Sequence, residues 1–181
     1  MHALKIACAS LCAIALAGAA RAAPFQIREA WVAPGNWSSI WLVKKDLARH
    51  FGQSYVLDPV HYIGTPPMIT ALANNQIEIA NLAYSTLGIA VENAGLDDMR
   101  VVADEFQDGV DDYYSEEYMV LKDGPIQKVE DLKGRVVATN AAGSAVDVAM
   151  KAMLHKHGLE PNRDYTVVEA PLPAMKSMLT E

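Results

Sequence analysis

Residues 139–154 read TNAAGSAVDVAMKAML: the polar end of a strand, a small flexible Ala-Ala-Gly-Ser, then apolar positions at helical spacing. The strand Arg135–Thr139 before it and the strand Tyr165–Glu169 after it bracket a helix expected from Ser144 to His157, with Gly158 behind. Strand, helix and strand in that order, with connections this short, predict a parallel α/β unit. The helix start reads as nearly free of charge, with a glycine allowing close approach and a serine hydroxyl beside it. Exposed N–H groups and the helix dipole there favour a bound anion such as a sulfonate, nitrate or carboxylate.

The same grammar runs through the N-terminal half. Phe25–Ala33 reads as a strand, broken by Pro34-Gly35-Asn36, and Ser38 is a plausible cap for a helix carrying Ile40, Val43, Leu47 and Phe51 up to Gly52. Tyr55–Tyr62 is a second strand, and Gly64-Thr65-Pro66-Pro67 starts a second helix, with Thr65 as cap and Pro66 in the first turn. Ile77–Ala83 is a third strand, Tyr84-Ser85-Thr86 opens a third helix closed by Gly95, and Met99–Ala103 is a fourth strand. Lys128–Leu132 is expected as a short helical turn.

Between these halves Asp104–Glu117 carries seven acids and no basic residue. Its spacing does not fit an EF-hand calcium loop, and a solvated link between two lobes is expected. The expected organisation is residues 1–22 as a signal peptide, 23–116 as a first α/β lobe and 117–181 as a second, incomplete lobe. The terminal PLPAMKSMLTE begins a helix at Pro173 without closing it, so a truncated or fragmentary chain is expected.

MHALKIACASLCAIALAGAARAAP has the one lysine, short apolar run and Ala20-Arg21-Ala22 signal of a cleavable secretory leader, too short for a permanent span. Both cysteines, Cys8 and Cys12, leave with it, so no disulfide framework is expected. Removing Lys5 and Arg21 from 15 basic residues leaves 13 against 22 acidic ones, a balance of about −9. That disfavours nucleic acid and anionic membranes as partners, so any bound anion must be held by local groups.

Four strand-to-helix junctions thus offer small residues, hydroxyls and free N–H groups: Asn36-Trp37-Ser38, Thr65-Pro66, Tyr84-Ser85 and Gly143-Ser144. Ser, Thr and Gly are ordinary caps anywhere; their grouping at the carboxyl edges of two sheets is what points to a ligand. Trp37 and Tyr84 add apolar walls with polar tips, and so lean towards an aryl or alkyl oxyanion over nitrate. His50, His61, His155 and His157 have no metal-ligand spacing, and no nucleophile–base, P-loop or dinucleotide motif occurs. No catalytic residue, metal or cofactor is expected.

VEDLKGRVVATNAAGSAVDVAMKAMLHKHGL (129–159) resembles the second-lobe signature of ABC-importer substrate-binding proteins of the nitrate, sulfonate and taurine type. ITALANNQIEIANLAYSTL (69–87) is similar to the same family's first lobe. The resemblance implies a type II periplasmic-binding-protein-like α/β fold whose two lobes close on a ligand. Carried over by position, it implies contacts from Asn36, Trp37, Ser38, Thr65, Tyr84, Ser85, Gly143 and Ser144. It also implies a monomeric, periplasmic receptor, a small anionic solute, and a permease with its ATPase as partners. Two rivals are an enzyme of the same fold resembling the thiamin-pyrimidine synthases, whose cytoplasmic setting conflicts with the leader, and an exported ligand sensor.

Overall fold

The computed structural model describes residues 22–33, 44, 46–105, 107–114 and 117–180. The leader, the turn and helix expected over 34–43, and with them Asn36, Trp37 and Ser38, lie outside the described residues.

The N-terminal unit is a three-stranded parallel sheet in the order β2-β1-β3: β1 Phe25–Trp31 in the centre, β2 Tyr55–His61 and β3 Ile79–Ala80. Phe25 pairs with Tyr55 and Trp31 with His61, so β1 and β2 run in register along their whole length. Helices α1 Thr65–Ala73 and α2 Tyr84–Ala94 follow β2 and β3. Met68 and Ala71 of α1 pack with Ala30 and Ile77 to form the buried core of this unit, with Val60, Leu72 and Leu82 around it. Gly95 ends α2 in the left-handed conformation, φ +67, as a glycine C-terminus should.

The C-terminal unit has its own sheet and core. A 3-10 turn, Val129–Leu132, leads into β4 Arg135–Thr139, α3 Ala145–Lys156 and β5 Tyr165–Glu169, and α4 Leu172–Thr180 follows. β4 and β5 are parallel, with Arg135 opposite Tyr165 and Thr139 opposite Glu169. Met150 and Leu154 of α3 are buried with Leu159 and Tyr165. Burying Leu154 completely removes an isobutyl group from water, worth about 1.5–3 kcal/mol.

Several expected elements differ. The third strand is two residues long, not seven. Met99–Ala103 and Glu117–Leu121 form no strand and lie in irregular chain, where Val101, Val102, Met119 and Val120 are exposed. Their apolar residues meet no neighbouring strand, and an extended segment without a ladder partner leaves its backbone groups to water. Residues 46–51 are turns and a bridge rather than the end of a helix. The acidic link is exposed at every described position from 101 to 114, and is tied to the first unit where Asn81 donates to Glu105 at 3.0 Å.

Candidate functional site

The two units meet through two strand-to-helix junctions, β2–α1 and β4–α3. Asn140, next after β4, is 4 % exposed and donates from Nδ2 to the Ile63 carbonyl of the first unit at 3.1 Å. Its Oδ1 accepts from Ser144 Oγ at 2.8 Å. Gly64 lies directly under this residue: a Cβ there would stand 2.6 Å from Ala141 Cβ. Pro66 lies beside Gly143, whose built Cβ would be 3.8 Å from Pro66 Cγ. Thr65, Pro66, Gly143 and Ser144 are therefore brought to one interface.

The three described helix starts that follow the strands β2, β3 and β4 are not alike. α3 is not free of acids, contrary to the sequence reading. Asp147, in its first turn and 1 % exposed, accepts from Gly143 N at 2.8 Å, and Lys151 donates to the same oxygen at 2.7 Å. Ser144 caps the helix by accepting from Asp147 N at 3.2 Å. The carboxylate of Asp147 thus already holds the Gly143 N–H, a donor that a bound anion was expected to use. The Ser144-x-x-Asp147 pattern is itself a helix-start signature, and it puts a carboxylate in this otherwise apolar first turn.

α1 departs in another way. Its N-cap is Gly64, in fully extended backbone, and not Thr65, which is the first helical residue. Pro66 and Pro67 have no N–H, so Gly64 and Thr65 are the remaining donors of that end. Thr65 Oγ1 is buried with no hydrogen-bond partner, as are Thr139 Oγ1 at the end of β4 and Asp147 Oδ1 in α3. Buried polar atoms without partners are uncommon in folded proteins, and these three come from the segments that form the junction.

α2 is the start that remains open. Ala83 caps it without a side-chain bond, its first turn holds no acid, and Tyr84 and Ser85 are exposed. Thr86 is internal: its N–H and hydroxyl both bond to the Ala83 carbonyl, at 3.0 and 2.8 Å. β2 and β3 both run parallel to β1, so the α2 start lies at the same carboxyl edge of the sheet as the α1 start, and α2 also touches α3. Tyr118 Oη, from the chain between the units, donates to the Val146 carbonyl at 2.8 Å.

The histidines have local roles. His61 packs on Trp31 with ring centroids 4.6 Å apart, and its Nε2 is 3.1 Å from the Val32 carbonyl. His155 pairs with Glu160 at 2.6 Å and His157 with Glu130 at 2.7 Å. Among the described residues no group of three or more His, Cys, Asp or Glu is placed to hold a metal ion.

Two carboxylates away from the junction are strongly shifted. Burial pushes Glu29, in the middle of β1 and 1 % exposed, up to about 7, and Glu105 adds to the rise. Asp164, beside β5, is drawn down to about 2 by Arg163, the Glu160 N–H and Lys133.

Asn140, Thr139 and Asp147 were not singled out by the sequence, and Gly64 was named only as the first residue of the Gly64-Thr65-Pro66 junction. Only Asp147 had a readable signal; the others matter because of which segment of the other unit they face.

No match was found among curated proteins or among solved structures. Residues 42–173, most of the chain and spanning both junctions, match the family model described as ABC transporter, phosphonate, periplasmic substrate-binding protein. The chain belongs to this family of periplasmic substrate-binding proteins of ABC transporters.

Proposed function

We propose that this protein is a monomeric periplasmic receptor, exported by its leader, that captures a small tetrahedral oxyanion between its two units and delivers it to an ABC permease and ATPase. The observation that carries the reading is the meeting of helix starts from two separate α/β units at one interface. Ligands of open parallel sheets gather at such carboxyl-end crevices. The family description points to a phosphonate, and a sulfonate presents the same tetrahedral oxygens.

In this reading the open start of α2 supplies first contact. The Tyr84 and Ser85 N–H groups and the Ser85 hydroxyl bind the oxygens, and the exposed Tyr84 ring covers the organic substituent. Thr65 Oγ1, already desolvated and unpartnered, donates a further bond as the units close. Gly143 and Ser144 shape the opposite wall. Asp147 stands beside that wall, so a substituent bearing an ammonium group is better tolerated there than a second anion. The test is native mass spectrometry of the protein taken gently from the periplasm. A releasable phosphonate or sulfonate is expected; a bound sugar or amino acid would contradict the reading.

A further inference from the structure

We propose that Asn140 and Gly64 form a closure latch between the two units, a contact that sets the open–closed balance without using any atom of the solute. The proposal rests on the receptor reading only for why closure matters.

Two observations carry it. The first is the direction of bonding at Asn140. One end of its amide serves its own unit, accepting from Ser144 Oγ, and the other reaches across to the Ile63 carbonyl. Ser144 is also the cap of α3. A single relay therefore runs from the α3 start through Ser144 and Asn140 to the β2–α1 turn. Separating the units would return the Asn140 donor and the Ile63 carbonyl to water, while Ser144 would keep its capping role.

The second is the glycine at 64. Its φ of −176° and ψ of 175° are extended backbone, which any residue adopts, so no local conformation demands glycine. Within its own unit the position is also roomy: the nearest such neighbour to a built Cβ is Pro66 Cδ, at an ordinary 3.8 Å. The obstruction comes only from the other unit, with Ala141 Cβ at 2.6 Å and Asn140 Nδ2 at 3.2 Å. The space for a side chain at 64 is taken only by the second unit, and the N-cap position of α1 adds a smaller preference for glycine over alanine. The Ser144 hydroxyl, held between Asn140 and Asp147, is then a positioning group for closure.

The test uses the full chain spin-labelled at Glu92→Cys on α2 and Lys156→Cys on α3, both exposed, with Cys8 and Cys12 lost with the leader. Double electron–electron resonance reads the distance between units in the free protein. The wild type is expected to show a short-distance population. Gly64→Ala should remove it while lowering the melting temperature by no more than the few degrees a cap substitution costs. Asn140→Asp keeps the acceptor for Ser144 and deletes the donor to Ile63, and should move the balance towards longer distances. Methylphosphonate titrations should show weakening of about tenfold or more in both variants.

Persistence of the short-distance population in both variants would overturn the latch. So would unfolding of Gly64→Ala, since glycine would then be needed inside the first unit. Failure of the wild type to bind methylphosphonate would count against the functional reading alone, because the distance measurement on free protein tests the latch without a ligand.

Discussion

Gly143 donates its N–H to Asp147 Oδ2 at 2.8 Å, so α3 opens on an anion of its own chain. The positive φ of Gly143, +77°, turns that N–H towards the carboxylate. Asp147→Ala should destabilise the protein by about 1–3 kcal/mol, because the part-buried Gly143 N–H loses its acceptor, while the Ser144 cap, which uses the backbone N–H of residue 147, remains. Lys151, over a third exposed, adds little to that figure. Urea denaturation measures it, and an unchanged midpoint would mean the turn holds its shape unaided.

Ser85 gives a contrasting prediction, because it is exposed at the open start of α2 and its hydroxyl bonds to nothing among the described residues. Ser85→Leu should leave the melting temperature within about a degree and weaken oxyanion binding by about tenfold, or 1.4 kcal/mol.

Glu29 predicts a loss of stability with rising pH. Below 4.5 the carboxyl is protonated in both the folded and unfolded states; between 4.5 and about 7 only the folded state keeps the proton. Stability from this group therefore falls as pH rises through that window. Glu29→Gln should flatten the fall and raise stability above pH 7 by on the order of 1–3 kcal/mol. Chemical denaturation at pH 5 and pH 8 gives both values.

Asp164 acts in the opposite sense. Its pKa is lowered from 3.8 to about 2, so its contribution is complete above 3.8 and is lost as pH falls through 2. Asp164→Asn should lower the melting temperature at neutral pH and reduce the slope of the acid limb. An acid limb unchanged from wild type would remove this carboxylate from the account.

Leu154 is fully buried between α3 and β5, and Leu154→Ala should cost about 2–5 kcal/mol. Met68→Ala in the other core should cost a similar amount. The two cores share no residue, so the double variant should show additive losses, unless the Asn140 contact couples the units.

The sequence was most legible where local chemistry and packing agree. β4, α3 and β5 fall where strand formers, a Ser cap and the glycine after His157 place them, within a residue or two at the helix ends. It was least legible at Met99–Ala103 and Glu117–Leu121. Those segments have strand composition, but strand formation depends on a neighbour that a single segment cannot reveal. Tyr84 and Ser85 were legible as the exposed start of a helix. Asn140 was not, and Gly64 was legible only as part of a helix start, because an asparagine after a strand and a glycine before a helix are ordinary until the facing unit is seen. Thr65 was placed one position from its true role, since the cap is set by the extended backbone of Gly64 and not by the hydroxyl.

The protein is proposed to hold a small oxyanion at the α2 start, between the two units. Isothermal titration of the mature protein and of Ser85→Leu with methylphosphonate and ethanesulfonate tests it most directly. Saturable binding of at least one by the wild type, weakened about tenfold in the variant, is the predicted result. No heat with either compound, or equal affinity in both proteins, would contradict it.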